Sequence, residues 1–265
     1  MRSIDRCLLL FCFQLALRGQ AGPATAAFEV ASIKPATSSQ NGVHGGCHGI
    51  DSIYTPGLAA AAPPFGRCVI GDARLSHLVF IAWGVPTMQL IKSGPEWIAS
   101  GDERFNVEAK AENPTKVTEK QLLAMLQALL IERFQLKYHR EPAELPGVAL
   151  VVAKNGPKFH ESKSQDEKFD FGREGKPSRG RPGTFNARRL SMEKLVHLLS
   201  TFGRRGPVVD KTGLAGNYDF TLAWDDDAGP TLDVALREQL GLRLESQKVP
   251  VEYFVIDSAR RPSAN

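Results

Sequence analysis

Four groups of side chains in this sequence could do chemistry. Cys47 and Cys68, with His44 and His48 close to the first, offer either the thiols of a disulfide or the sulfur and imidazole ligands of a zinc ion. Asp210-Lys211-Thr212-Gly213 places a carboxylate that could accept a phosphoryl group beside an ammonium and a hydroxyl. His77, His139 and His197 could act as general bases, and His139 is followed by Arg140 and Glu141. Gly42, Gly45, Gly46 and Gly49 give a backbone open enough to approach a phosphate.

Each group also has a plainer reading. The Asp-Lys-Thr-Gly tetrapeptide has the letters of the site that cation-pumping ATPases phosphorylate, but those enzymes need many membrane spans and a nucleotide domain, so here it reads as a turn into a hairpin at Tyr218. The glycines lack the Lys-Ser/Thr that closes a Walker loop. The histidines read as helix-face and strand-end residues. Neither Gly-x-Ser-x-Gly nor His-Glu-x-x-His occurs, so the nucleophile elbow and the zinc-peptidase helix are both missing as motifs. No residue is therefore assigned a catalytic, cofactor-binding or metal-binding role.

The N-terminus determines how the cysteines read. Arg2 and Arg6 precede an apolar stretch from Cys7 to Leu17, and Ala24-Thr25-Ala26 has the small residues of a signal-peptidase site. Cleavage is expected after Ala26 or Ala27. The apolar run is about half the roughly 20 residues a membrane span needs, and neither Cys7 nor Cys12 follows the small residues of a lipidation site. Export removes Cys7 and Cys12, leaving Cys47 and Cys68 as a pair in an oxidising compartment. A disulfide between them is the first reading. A metal site with His44 and His48 is the alternative, although its spacing fits no standard zinc pattern. Of the 33 basic and 29 acidic residues, 30 and 28 lie beyond residue 26, a net charge of +2. So small an excess argues against a nucleic-acid binder.

The elements that would position these groups show an internal echo. Arg74-Leu75-Ser76 leads into Leu78, Val79, Ile81 and Ala82; Arg189-Leu190-Ser191 leads into Leu195, Val196, Leu198 and Leu199. Both spacings predict a short amphipathic helix. Gly94-Pro95 matches Gly206-Pro207, and the alternating run at Phe105-Asn106-Val107 matches Tyr218-Asp219-Phe220. A second helical pattern then runs from Leu122 to Phe134 and from Leu232 to Leu240, followed by strands at Val148 to Val152 and Val251 to Ile256. The fold class expected is α+β, two similar tandem helix-plus-small-sheet repeats after an N-terminal strand at Phe28 to Ile33.

The expected boundaries are a signal peptide over 1–26, an N-terminal strand and Gly/Ala/Pro-rich loop over 27–67, a first repeat over 68–159, a polar linker over 160–184 and a second repeat over 185–265. The stretch from Thr37 to Gly66 reads as an irregular loop. Leu126, Leu130, Phe134, Leu236, Leu240, Phe220 and Val255 are expected in the core.

Several motifs together carry a family likeness. Phe28-Glu29-Val30-Ala31-Ser32-Ile33-Lys34-Pro35, Pro207-Val208-Val209-Asp210-Lys211-Thr212-Gly213-Leu214 with Tyr218-Asp219-Phe220, and Gln239-Leu240-Gly241-Leu242 before Pro250-Val251-Glu252 resemble a large paralogous family of secreted acidobacterial proteins of unknown function. The likeness extends to Arg133-Phe134, His139-Arg140-Glu141 and Leu150-Val151-Val152-Ala153-Lys154, and so covers nearly the whole mature chain. It implies no activity, cofactor or catalytic residue. Related domains are attached to membrane peptidases of the β-lactam-sensor type, which implies sensing or binding in the envelope. The segment around Cys47 and Cys68 departs from the family pattern.

The helix-and-hairpin units are also similar to short domains at the periplasmic ends of secretins and outer-membrane receptors, where partner peptides add to a sheet edge. Val251 to Ile256 is the strand expected to offer such an edge here. The function expected is non-catalytic binding or scaffolding in the periplasm or outside the cell, with an envelope protein or peptide as partner and neither nucleic acid, cofactor nor membrane span. The alternatives are a hydrolase of envelope polymers, with Asp210, Glu252, His139 or Arg140 converging in a cleft, and a ligand-binding accessory of a membrane sensor.

Overall fold

In a computed structural model of the chain, the residues described are 27–36, 42–52, 62–92, 94–164, 168–173, 183–202, 206–225 and 227–262, without the side chains of 168–173, 201 and 202. The expected signal peptide lies outside them. The elements run β1 (Val30–Ala36), β2 (His44–His48), β3 (Arg67–Ala73), α1 (Leu75–Trp83), β4 (Ile91–Lys92), α2 (Glu96–Ala99), β5 (Arg104–Lys110), α3 (Glu119–Phe134) and β6 (Lys137–Val152). They continue as β7 (His160–Glu161), β8 (Lys168–Arg173), β9 (Gly183–Ser191), α4 (Met192–Phe202), β10 (Val208–Asp210), β11 (Asn217–Trp224), α5 (Leu232–Ala235) and β12 (Leu242–Ser258). The fold is α+β, as expected, with the N-terminal strand shifted to Val30–Ala36.

Three four-stranded sheets carry the helices, in the orders β1-β5-β3-β2, β10-β6-β12-β4 and β7-β11-β9-β8. The middle sheet is built on a long antiparallel ribbon in which β6 pairs with β12 from Lys137↔Ser258 to Val152↔Leu242. Short parallel strands cover its two ends, β10 beside Val148–Leu150 and β4 beside Phe254 and Val255. Each end of the ribbon feeds a different core. Phe254 and Ile256 pack with Leu126, Leu130 and Phe134, while Val148, Leu150 and Leu242 pack with Phe220, Leu236 and Leu240. All seven residues expected in the core are buried.

Local chemistry explains the element ends. Thr118 and Gln121 form a capping box at the start of α3, satisfying amides that have no partner inside the helix. Gln135, at φ +47°, ends α3 in the left-handed region. At the corresponding place Gly241, at φ +65°, follows a single π turn, Leu236–Leu240, that extends α5. A Cβ on Gly241 would collide with the Gly156 carbonyl oxygen, so glycine is required there on both counts. Two residues, Asp72 in β3 and Arg189 in β9, share a local backbone geometry. Asp72 and Arg189 both have positive φ, and their N–H groups donate to the side chains of Asn106 and Asp219 at 3.1 and 2.7 Å. The Ser162 hydroxyl and the Arg189 N–H hold the Asp219 carboxyl below the usual carboxylate range.

Three expectations change. The Gly-rich stretch after Thr37 contains β2, because pairing with β3 stabilises a strand that its own composition disfavours. The segment 160–184 carries β7 and β8, both joined to the third sheet. The strand at Val251 to Ile256 has β6 on one side and, at Phe254 and Val255, β4 on the other, so among the described residues it is an edge over Val251 to Tyr253 and not over Phe254 and Val255.

Prolines remove some of the backbone donors along the uncovered middle of the ribbon. The Val148 N–H donates outward to the Pro207 carbonyl, and the Leu150 carbonyl accepts outward from the Lys211 N–H. Alternation then turns Pro142 and Pro146 outward on β6 and, through its pairing with Glu144, Pro250 outward on β12. Those positions have no N–H to offer an added strand.

Candidate functional site

A concavity lies where α1 and α3 face α4, a groove of ≈ 1010 Å³ that also touches β2. α1 is apolar nearly all round. Leu75, Leu78, Val79 and Ala82 are buried in the first core, which leaves Phe80, Ile81 and Trp83 half-buried along the groove. Such a helix needs cover on two sides. Opposite it, α4 sends Leu195, Val196 and Leu199 toward the second core and presents Leu198 and His197 to the groove. α3 adds Leu123 and Gln127.

Hydrogen bonds hold these walls in place. The Gln127 amide donates to the Ala82 carbonyl at 2.7 Å, satisfying an acceptor near the end of α1. Trp83 Nε1 donates to the Tyr138 hydroxyl at 3.0 Å, and its ring meets Tyr138 and Phe254 edge-on, at 5.1 and 5.0 Å. The end of α1 is thus anchored to the central ribbon. The buried Ser200 hydroxyl donates to the Val196 carbonyl and accepts the Val208 N–H at 2.9 Å, joining α4 to β10. Ser191 caps α4 by accepting the Lys194 N–H at 3.2 Å. Both serines of the groove therefore have structural hydrogen bonds.

The charged groups of the groove are Asp51, Glu119, Lys120, Glu193 and Lys194. Asp51 accepts the Glu119 N–H at 2.7 Å, an added cap on α3. His197 is solvent-exposed toward the groove, yet the protein packed around it lowers its pKa by desolvation, opposed by Glu193 one helical turn away. Because solvent reaches the ring, we assign no stability to that shift.

The sequence-derived candidates do not gather here. Arg140 and Leu150 are ten residues apart on one strand, about 33 Å. Since Asp210 pairs with Leu150, it lies far from His139 and Arg140. The Asp210 carboxylate instead accepts from the N–H and hydroxyl of Thr212 at 2.8 and 2.7 Å, the turn its sequence suggested. His139 pairs with Asp257 at 2.8 Å on the surface. Sequence reading missed the groove itself, although the excess of apolar residues around α1 was a usable signal.

Cys47 and Cys68 are bonded to each other across directly opposed positions of β2 and β3, with their Cα atoms 3.9 Å apart. Their sulfurs are thereby committed, and His44 and His48 bond to the carbonyls of Gly42 and Pro63. Among the described residues no group of three His, Cys, Asp or Glu side chains could hold a metal ion. The disulfide spans 21 positions, a loop for which the chain-entropy model gives about 3 kcal/mol. Replacing both cysteines by alanine should lower stability by about that amount, read from the denaturant midpoint; an unchanged midpoint would refute it.

His77 allows a pH prediction. Its Nδ1 accepts the Arg74 N–H at 3.3 Å at the start of α1, a role only the unprotonated nitrogen can fill. Burial first, then Arg74 and Arg104, lower its pKa from the model-peptide value of 6.5. The unfolded chain therefore binds this proton more readily. The stabilisation is complete above about pH 6.5 and is lost as pH falls from there through the lower folded value. Stability measured from pH 7.5 to 5 should decline, and His77→Gln should flatten the decline; an equal slope in the variant would overturn the assignment.

No helix among the described residues is long and apolar enough to cross a membrane. No curated protein and no solved structure matches the chain. A family model described as "Protein of unknown function (DUF3738)" matches residues 76–259, which takes in α1 from its second residue, α3, α4 and the central ribbon while leaving out β1, β2 and β3. With well over half of its length matched, the chain belongs to this family of proteins of unknown function.

Proposed function

We propose that the protein is an exported, non-catalytic binding module whose ligand sits in the groove between α1, α3 and α4. The observation that carries this reading is the groove's construction: apolar side chains from three helices line it, while its two serine hydroxyls serve the fold. Its volume is at the upper end of the range for small-ligand sites. The signal-like N-terminus and the disulfide support an oxidising compartment outside the cytoplasm. The resemblance to secreted acidobacterial proteins, and to domains attached to sensor peptidases, supports an envelope role.

The two halves are proposed to be related by duplication. The order strand, helix, short strand, strand, helix, long strand runs through 183–258 and, with the one-turn α2 added before β5, through 67–152. The matched Asn106 and Asp219 contacts support the same origin.

An environment-sensitive naphthalene sulfonate dye tests the groove. The dye should bind the folded protein, and Leu123→Glu with Leu198→Glu should weaken it about tenfold or more, since each change puts on an apolar wall a charge that also repels the sulfonate. Circular dichroism would verify that the variants stay folded. Unchanged dye affinity in folded variants would remove the groove as the site. Turnover of an envelope polymer that falls in the same variants would instead favour the hydrolase.

A further inference from the structure

One wall of the groove comes from a part of the chain outside the stretch that the family model matches. Gly45, Gly46, Cys47 and Asp51 line it, and all four precede residue 76, whereas every other lining residue lies between 80 and 208. The wall is β2 with the turn that follows it. Its glycine-rich composition would not hold a strand unaided, and several contacts fix it in place. The Cys47–Cys68 disulfide joins it to β3. Gly45, at φ +85°, lies so near the Val69 carbonyl that a Cβ would collide with it, and a Cβ on Gly49 would strike the Glu119 amide nitrogen. The Ile50 N–H donates to the Val117 carbonyl at 3.0 Å, and the Asp51 carboxylate accepts the Glu119 N–H at 2.7 Å. The turn is therefore seated on the start of α3.

This wall decides the charge of the groove. On the other walls the carboxylates of Glu119 and Glu193 are balanced by the ammonium groups of Lys120 and Lys194, and Phe80, Ile81, Leu123 and Leu198 supply apolar surface. Asp51 is the one charged residue that the wall adds, and it brings the lining to a net charge of −1. Like charges brought together across a binding surface are penalised, so its carboxylate opposes an anionic ligand.

We propose that residues 44–52, stapled by the Cys47–Cys68 disulfide, are a selectivity wall that sets the ligand class of the groove: apolar molecules that are neutral or cationic, with anionic ones disfavoured by Asp51. Asp51 meets the ligand. Cys68 is fully buried and does not line the groove, so it acts through Cys47 as a positioning residue, holding the wall that carries the carboxylate. A wall fixed before the ligand arrives discriminates without an ordering cost at binding. The inference rests on the groove being the binding site, and it adds the charge class of the occupant.

Two probes that differ by one sulfonate provide the test: anilinonaphthalene sulfonate and its uncharged parent, N-phenyl-1-naphthylamine. Asp51→Asn keeps an acceptor for the Glu119 amide while removing the charge. It should tighten the sulfonate about threefold, the effect of one unit charge roughly 6 Å away in a water-like medium, and leave the uncharged probe nearly unchanged. Cys68→Ala cuts the staple without altering a lining residue. With folding verified by circular dichroism, it should move the ratio of the two affinities in the same direction, and the effect of Asp51→Asn should shrink in that background. An unchanged ratio in Asp51→Asn would overturn the charge selection. A full Asp51 effect retained in Cys68→Ala, or a Cys68→Ala chain that does not fold, would overturn the positioning role of the disulfide. The leucine variants separate this inference from the groove itself. If Leu123→Glu with Leu198→Glu weakens both probes while Asp51→Asn leaves their ratio fixed, the groove stands and the selectivity wall falls; if it weakens neither, the groove is refuted whatever Asp51 does.

Discussion

Phe134→Ala should destabilise the protein by about 3 to 5 kcal/mol, the range for removing a large buried aromatic side chain. Phe134 is the last residue of α3 and is fully buried. Its ring meets Phe105 edge-on at 5.1 Å and stacks on Trp97 at 6.4 Å, while its carbonyl accepts the Arg260 N–H at 2.7 Å. Alanine would leave a cavity where α3, β5 and α2 meet, in a place the rigid ends of those elements cannot collapse to fill. Against a total stability of about 5 to 15 kcal/mol, such a loss is large. For a chain of this size it corresponds to a fall in Tm of roughly 6 to 20 °C. Denaturant unfolding with an unchanged m-value would measure it. A loss below about 1 kcal/mol would mean that this aromatic cluster is not a centre of the first core.

The second large effect concerns cooperativity. β4 belongs to the first half of the chain but pairs with β12, and β10 belongs to the second half but pairs with β6. Phe254 and Ile256 complete the first core from the far end of the sequence. Neither half can keep its core or its ribbon without the other, so the chain should unfold in one transition. Trp224 reports on the second core and Trp97 on the first. Fluorescence of Trp224→Phe, which keeps Trp83 and Trp97 at the first core, and of the double variant Trp83→Phe with Trp97→Phe, which keeps Trp224 in the second, should therefore follow midpoints that coincide with far-UV circular dichroism. A fragment of residues 27–159 should show no cooperative transition, because β6 would lose the partner that covers it from end to end. Two separated midpoints, or a stably folded fragment, would refute this coupling.

The sequence was most informative where a signal is local. The spacing of Leu122, Leu126, Leu129 and Leu130 reports a buried helix face whatever that face packs against, and all four are buried. The Asp210 turn and the Thr118 cap are likewise made by residues within a few positions of one another. The two cysteines could be paired from their number and expected compartment alone.

Other features depend on contacts between distant parts of the chain. β2 is Gly-rich and reads as loop; its strand geometry comes from β3, some twenty residues away. Val251 to Ile256 reads equally well as an edge or a central strand, because alternation reports which faces are buried but not which strand lies alongside. His139, Arg140 and Asp210 looked as if they might converge, and the extended ribbon keeps Asp210 apart from the other two.

The sequence by itself thus determined the α+β class, the helix faces, the turns and the core residues, because short-range periodicity and backbone preference act over one or two turns of chain. The tertiary structure alone decided the pairing order of the strands, the exchange of β4 and β10, and the groove where α1 and α3 meet α4 beside β2. Those features arise from apolar surfaces and unpaired backbone groups that find partners across the whole chain, and no local window contains both members of such a pair.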